Sequence, residues 1–114
     1  MLYERLLQGE NNVRFVGNLV NKPTFYISKN GKKIVRFTLE RAIGASKTRV
    51  PCVMYGGNAE LLHKIAQPGA VIEIAGELGS ITGELVIVGG YFAAKDERSK
   101  RAYAALINGC TTAP

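Results

Sequence analysis

Few side chains in this sequence can do covalent or acid–base chemistry. There is one histidine, His63, and one aspartate, Asp96. His63 falls in the body of a helical stretch, three residues after Glu60, and reads as a surface or boundary residue. Asp96 lies inside a charge cluster, Lys95 to Arg101. A nucleophile–base–acid triad would have to use these single copies, and neither sits in a strand–turn–helix context. No glycine-rich loop ends in Lys-Ser or Lys-Thr, and no dinucleotide fingerprint is present. Gly56-Gly57 and Gly89-Gly90 read as turn and close-packing glycines. Cys52 and Cys110 are too few for a disulfide framework and too far apart for a local metal knuckle. The expectation is no catalysis, no metal and no cofactor.

What the residues do offer is positive charge in one place. The chain carries a net charge of +6 over 114 residues. Eight basic residues fall between Lys22 and Arg49, opposed there by Glu40 alone, so this quarter carries +7 and the remainder −1. A localised basic patch on a folded domain points to a polyanion partner; the plainer reading is a solvated face that aids solubility. The patch comprises Lys29, Lys32 and Lys33 in one loop, Arg36 and Arg41 on the next strand, and Lys47 and Arg49 beyond it. Tyr26, Tyr55 and Tyr91 are candidate flat surfaces for stacking, whereas Phe15, Phe25 and Phe37 read as core.

These residues need elements to hold them. With 46% hydrophobic and 21% charged residues the chain can bury a core of one domain. No apolar run approaches the ~18–20 residues of a membrane span, and the N-terminus lacks a cleavable signal pattern. Asn12–Val20 reads as a strand, with Gly17 as a bulge or bend, and Thr24–Ile27 resumes extended character after Pro23. Asn30-Gly31 marks a hairpin. Val35, Phe37 and Leu39 alternate with Arg36, Thr38 and Glu40, the pattern of a half-buried antiparallel strand. A loop at 44–47 precedes a strand over Thr48–Tyr55, where Pro51 argues for an edge or bulge. Asn58 is the expected N-cap of a helix over Ala59–Gln67, with Glu60 and Lys64 as an i,i+4 pair. Strands follow over Val71–Leu78 and Glu84–Phe92, joined near Thr82-Gly83. This order predicts an all-β fold, a five-stranded OB-fold Greek-key barrel with one helix between its third and fourth strands. The expected division is an arm over 1–11, the barrel over 12–94, and a charged segment with short helix and tail over 95–114. Ala102–Ile107 is expected to be helical, with Gly109 ending it, and either to dock on the barrel, the default, or to pack against a second subunit.

On that fold, the basic residues occupy the first hairpin loop and the outer face of strands two and three, where OB-folds contact oligonucleotides. The run Asn12-Val13-Arg14-Phe15-Val16-Gly17-Asn18-Leu19, with Lys22-Pro23, Asn30-Gly31-Lys32 and Phe37-Thr38-Leu39, resembles the bacterial single-stranded DNA-binding protein family. So do Val53-Met54-Tyr55-Gly56 and the run Pro68 to Leu78. The likeness spans roughly Asn12 to Phe92. It implies single-stranded DNA as partner, a homo-oligomer (a tetramer, or a dimer as in the related primosomal replication protein N), and a role in replication, recombination or repair in the cytoplasm, at the nucleoid. Tyr55 matches the family's aromatic before glycine. The family's stacking tryptophans are missing, with Arg49 where one would stand, and its wrapping loops are short here. Its acidic recruitment tail for replication or repair proteins has no counterpart in the sequence. The rival readings are a tailless accessory factor similar to primosomal replication protein N, and a protein-assembly module that has lost DNA binding.

Overall fold

The computed structural model describes residues 11–108. Six strands and two helices follow in the order β1 (Val13–Leu19), β2 (Thr24–Ile27), β3 (Lys33–Ile43), β4 (Ser46–Tyr55), α1 (Gly57–Ile65), β5 (Val71–Ile81), β6 (Glu84–Ala94) and α2 (Glu97–Asn108). The sheet order is β1-β5-β6-β4-β3-β2, and a further β1–β3 pairing closes five of the strands into a barrel. β1 and β2 pair with consecutive parts of β3: Leu19 opposes Leu39, and Thr24 opposes Arg36. They are the two halves of the first strand read from the sequence, divided around Pro23. The expected OB-fold is therefore present, and counting these halves separately puts its helix between β4 and β5.

Alternation along β3 fills the barrel. Val35, Phe37 and Leu39 are at most 7% exposed, and they meet Leu19, Met54, Ile72, Ile74, Ile87 and Phe92 in a single core cluster. Removing such side chains from water stabilises by roughly 1.5–3 kcal/mol each. α1 adds Ala59, Leu62 and Ile65 to the same cluster. Its Glu60–Lys64 pair is present at 3.7 Å.

Several expectations about boundaries and special residues change. Gly17 lies inside a continuous β1, so it makes no bulge. A Cβ there would come within 2.7 Å of the Glu40 carbonyl oxygen, and the missing side chain is what lets β1 and β3 approach at the barrel seam. The irregularity lies instead between Ala75 and Gly76, where β5 pairs with β6. Pro51 occupies no edge strand, because β4 runs between β3 and β6. Its register partner is Thr38 on β3, and the parallel pairing with β6 starts only at Cys52. An amide hydrogen at Pro51 is thus not required on that side.

The helix between β4 and β5 starts and stops two residues early. Gly56, with φ 78°, is its N-cap and no side chain caps it; Asn58 instead donates from Nδ2 to the Gly90 carbonyl at 3.4 Å. The loop expected over 44–47 shrinks to Gly44-Ala45, since Ile43 already opposes Ser46. β5 and β6 likewise extend to a two-residue turn, Thr82-Gly83, whose φ values are both positive. That is the backbone handedness that suits a two-residue hairpin. Both hairpins consequently project as two-stranded arms, exposed at Arg41 to Arg49 and around Glu84-Leu85.

Candidate nucleic-acid interface

Side chains on β3 alternate between core and solvent, so each inward residue dictates its neighbour's direction. With Val35 and Phe37 inside, Ile34 and Arg36 point out. Register then defines rows across the outer face. Tyr26 of β2, Ile34 of β3 and Tyr55 of β4 form one; Thr24 and Arg36 form the next, in register with Val53, which is buried. Tyr26 is 42% exposed, and Arg36 is exposed beside it.

The first hairpin loop feeds a lysine into this surface. Ser28 and Lys32 brace the turn: the Ser28 N–H donates to the Lys32 carbonyl at 2.8 Å, and the Lys32 N–H donates to Ser28 Oγ at 3.1 Å. Gly31 turns the chain at φ 82°. The Lys32 ammonium then sits 4.6 Å from the Tyr55 ring centroid, a cation–π contact. Lys29 is exposed in the same loop. Lys33 is placed differently: its Nζ donates to Glu60 Oε1 on α1 at 2.6 Å. The hydrogen bond from Lys33, helped by the nearby Lys64, holds the Glu60 carboxyl below its ordinary range.

Along the β3–β4 arm the remaining cations part company. Arg49 donates from Nε to Glu40 Oε2 at 2.7 Å, which keeps the Glu40 carboxyl below its ordinary range. Arg49 shares its charge with that partner. Lys47 opposes Ala42 on the same side of the arm as Arg49, whereas Arg41 opposes Thr48 on the other side. A shallow groove of about 220 Å³ runs beside Arg36, lined also by Lys22, Thr24, Thr38 and Pro51. Lys22 was recognisable from the sequence as part of the basic run. It reaches this groove from the connection between β1 and β2, beside Asn21.

The structure thus gathers Tyr26, Tyr55, Lys32 and Arg36 on one face. It adds Lys29 at the loop, strings Arg41, Lys47 and Arg49 along the arm, and ties Lys33 to α1. Tyr91, 54% exposed, stands apart on the outer side of β6. Its register partner is Ala75 of β5, which in turn opposes Arg14 of β1. Arg14 was missed from the sequence; its position between the apolar Val13 and Phe15 is the alternation signal that places it outward.

Cys52 is buried in the core, and burial pushes its thiol up to about 12. Among the described residues no group of three or more His, Cys, Asp or Glu side chains could hold a metal ion. No helix among them is long and apolar enough to cross a membrane.

The family model described as the single-strand binding protein family matches residues 10–90. The chain belongs to the single-strand binding protein family. Among solved structures, it is similar to the wild-type single-stranded DNA binding protein from Thermus aquaticus, with a TM-score of 0.70 and 17% identity over 77% of this chain. A deletion variant of that Thermus protein gives a TM-score of 0.71 and 18% identity over 77% of this chain. The alignments cover 41% and 42% of the two Thermus chains, so this chain spans well under half their length. At such identity the likeness establishes the barrel and its connectivity. No curated protein sequence matches the chain. The family match ends at residue 90, before Tyr91 and α2.

Proposed function

We propose that this protein binds single-stranded DNA without catalysing any reaction on it, and with little sequence preference. The observation that carries the reading is the outward row of Tyr26, Ile34 and Tyr55, with Lys32 on the Tyr55 ring and Arg36 in the adjacent row. Aromatic faces accept any base, and ammonium or guanidinium groups accept the phosphates between them. Family membership supports the same reading, as does the single-stranded DNA named for the Thermus proteins. Lys29, Lys47 and Arg49 extend the cationic track along the loop and arm, and Arg41 adds charge on the arm's other side. We further propose that it acts as a homo-oligomer, a dimer or tetramer, in replication, recombination or repair in the cytoplasm. Exposed Leu78 and Leu85 on the β5–β6 arm supply apolar surface for self-association.

The test is fluorescence anisotropy with labelled oligo-dT and a duplex of equal length, each at two salt concentrations. Salt-sensitive binding to oligo-dT, with much weaker duplex binding, is the expected result. A folded protein that binds neither at low salt overturns the reading and favours a protein-assembly module on the same barrel.

A further inference from the structure

Helix α2 lies beyond the part of the chain that matches the family, and its attachment is specific. Asp96 closes the junction: Oδ1 accepts from the Val71 N–H at 2.8 Å and Oδ2 from the Ser99 N–H at 3.0 Å. The Lys95 N–H also donates to the Val71 carbonyl at 2.8 Å. Ser99 is buried, and Ala102 and Leu106 pack against the core. That inward face fixes what the neighbouring stripe presents. Lys100, Tyr103 and Ile107, spaced i, i+3 and i+7, are all exposed.

This stripe lies against the part of β6 that carries the outward Tyr91 and the inward Phe92. Tyr103 meets Phe92 edge-on, with ring centroids 6.2 Å apart and an interplanar angle of 80°. It nevertheless stays 38% exposed, and Tyr91 is 54% exposed. Tyr91, Tyr103 and Lys100 line one cleft of about 280 Å³, whose other walls include Ala93 and Ala94. The volume lies just below the ~300–1,000 Å³ of small-molecule pockets, a scale that suits a single planar base.

The surrounding charge is mainly positive. Lys95 and Arg14 each reach the buried Glu73 carboxylate at 3.0 Å, so two cations share one anion. Arg14 and Tyr91 also line an adjoining hollow, with Glu77 at its border. On α2, Arg98, Lys100 and Arg101 are opposed by Glu97. The Lys100–Glu97 contact is long, 3.7 Å, and both side chains are solvent-exposed, so a phosphate can replace that carboxylate at little cost.

We propose that the cleft between Tyr91 and Tyr103 is a base-stacking subsite for single-stranded nucleic acid, with Lys100 holding the flanking phosphate. α2 then extends the interface beyond the barrel face of Tyr26 and Tyr55. The proposal rests on the function proposed above. Two partly exposed rings and an ammonium group around a base-sized cleft are the elements of sequence-tolerant stacking. Net positive charge favours a polyanion over a second copy of this basic chain.

The experiment uses the full chain, labelled oligo-dT, and the variants Tyr103→Leu, Tyr103→Phe and Lys100→Gln. Leu keeps apolar packing on Phe92 but removes the ring; Phe keeps the ring. Tyr103→Leu is expected to weaken binding about 5-fold or more, the loss typical of one stacked base, with Tyr103→Phe near the parent. Lys100→Gln is expected to reduce the steepness of the salt dependence by about 0.7, one phosphate contact. Lys100 is exposed, so its replacement tests the idea even if Tyr103→Leu fails to fold. Iodouracil-substituted oligo-dT should photocrosslink to Tyr103 or Tyr91 in the parent. Parent binding with unchanged affinity and salt slope in Lys100→Gln and the folded Tyr103 variants overturns the subsite and leaves the function standing. A change in solution mass with no change in oligo-dT binding also overturns it, by making the cleft a contact between copies. A parent that binds no oligo-dT removes the function and the subsite together.

Discussion

Tyr55 is the residue in which stacking and charge meet. It lies in the outward row with Tyr26, and the Lys32 ammonium sits over its ring. A base stacking on Tyr55 must share the ring with Lys32 or displace it towards a phosphate. Tyr55→Ala should therefore lose one stacking contact of about 1–3 kcal/mol, a drop of roughly 5- to 150-fold in oligo-dT affinity by anisotropy. Lys32, Lys33 and Arg36 can be distinguished by the same assay. Lys32→Ala and Arg36→Ala should each weaken binding to all sequences alike and flatten the salt dependence by about 0.7. Lys33→Ala should act mainly through stability, because its ammonium is engaged by Glu60. Equal losses of affinity from Lys33→Ala and Arg36→Ala would show that the Glu60 contact does not withhold Lys33 from DNA.

At the scale of elements, carboxylates fix the ends of the barrel strands. Glu73 is almost fully enclosed on β5, and the hydrogen bond from Lys95, aided by Arg14, holds its carboxyl below the ordinary range. A group whose folded pKa is depressed adds stability above its unfolded value, here about 4.5, and loses it as pH falls through the folded value. Glu73→Gln should thus remove part of the stability loss seen on acidification below about pH 4.5, measured by urea unfolding at a series of pH values. Asp96 acts at the next junction, where its carboxylate receives N–H groups from two elements. Asp96→Ala should cost about 0.5–2 kcal/mol and loosen α2 first, seen as faster amide exchange there with the barrel still protected. Much of this architecture was legible in the sequence. Alternation at Val35 to Glu40 identified core and outer face together, and Asn30-Gly31 located the first hairpin. What escaped were features set by contacts between distant segments. Gly17 reads locally as a bulge, and only the approach of Glu40 shows it to be a seam residue. The Arg49–Glu40 and Lys33–Glu60 pairs, which set these two cations apart from the other basic residues of the run, depend likewise on register and on α1.

For the whole molecule, closure of the barrel and the course of the cations decide how binding behaves. The seam is narrow: β1 meets β3 at Asn18–Glu40 and Leu19–Leu39, with Gly17 against the Glu40 carbonyl. Gly17→Ala must push these backbones apart, and overpacking of this kind costs about 1–3 kcal/mol. The same shift would disturb the Glu40–Arg49 pair and the pitch of the β3–β4 arm, so DNA affinity should fall beyond the folded fraction. The cations themselves follow a track from Lys29 and Lys32, past Arg36 and Lys22, to Lys47 and Arg49 on the arm, while Arg41 leaves it for the opposite side. The chain has no tryptophan, so the proposed binding should rest more on phosphate contacts than on stacking. If about 5–8 phosphates are neutralised in each binding unit, log affinity should fall with log salt at a slope of about −3.5 to −5.5. A titration of oligo-dT binding across a salt series measures that slope directly. A slope near −1, with binding still tight, would mean that the tyrosines carry the strand and that the +7 segment serves solubility. A slope in the expected range that flattens in a Lys32, Arg36 double alanine variant would assign the charge to the face that also carries Tyr26 and Tyr55.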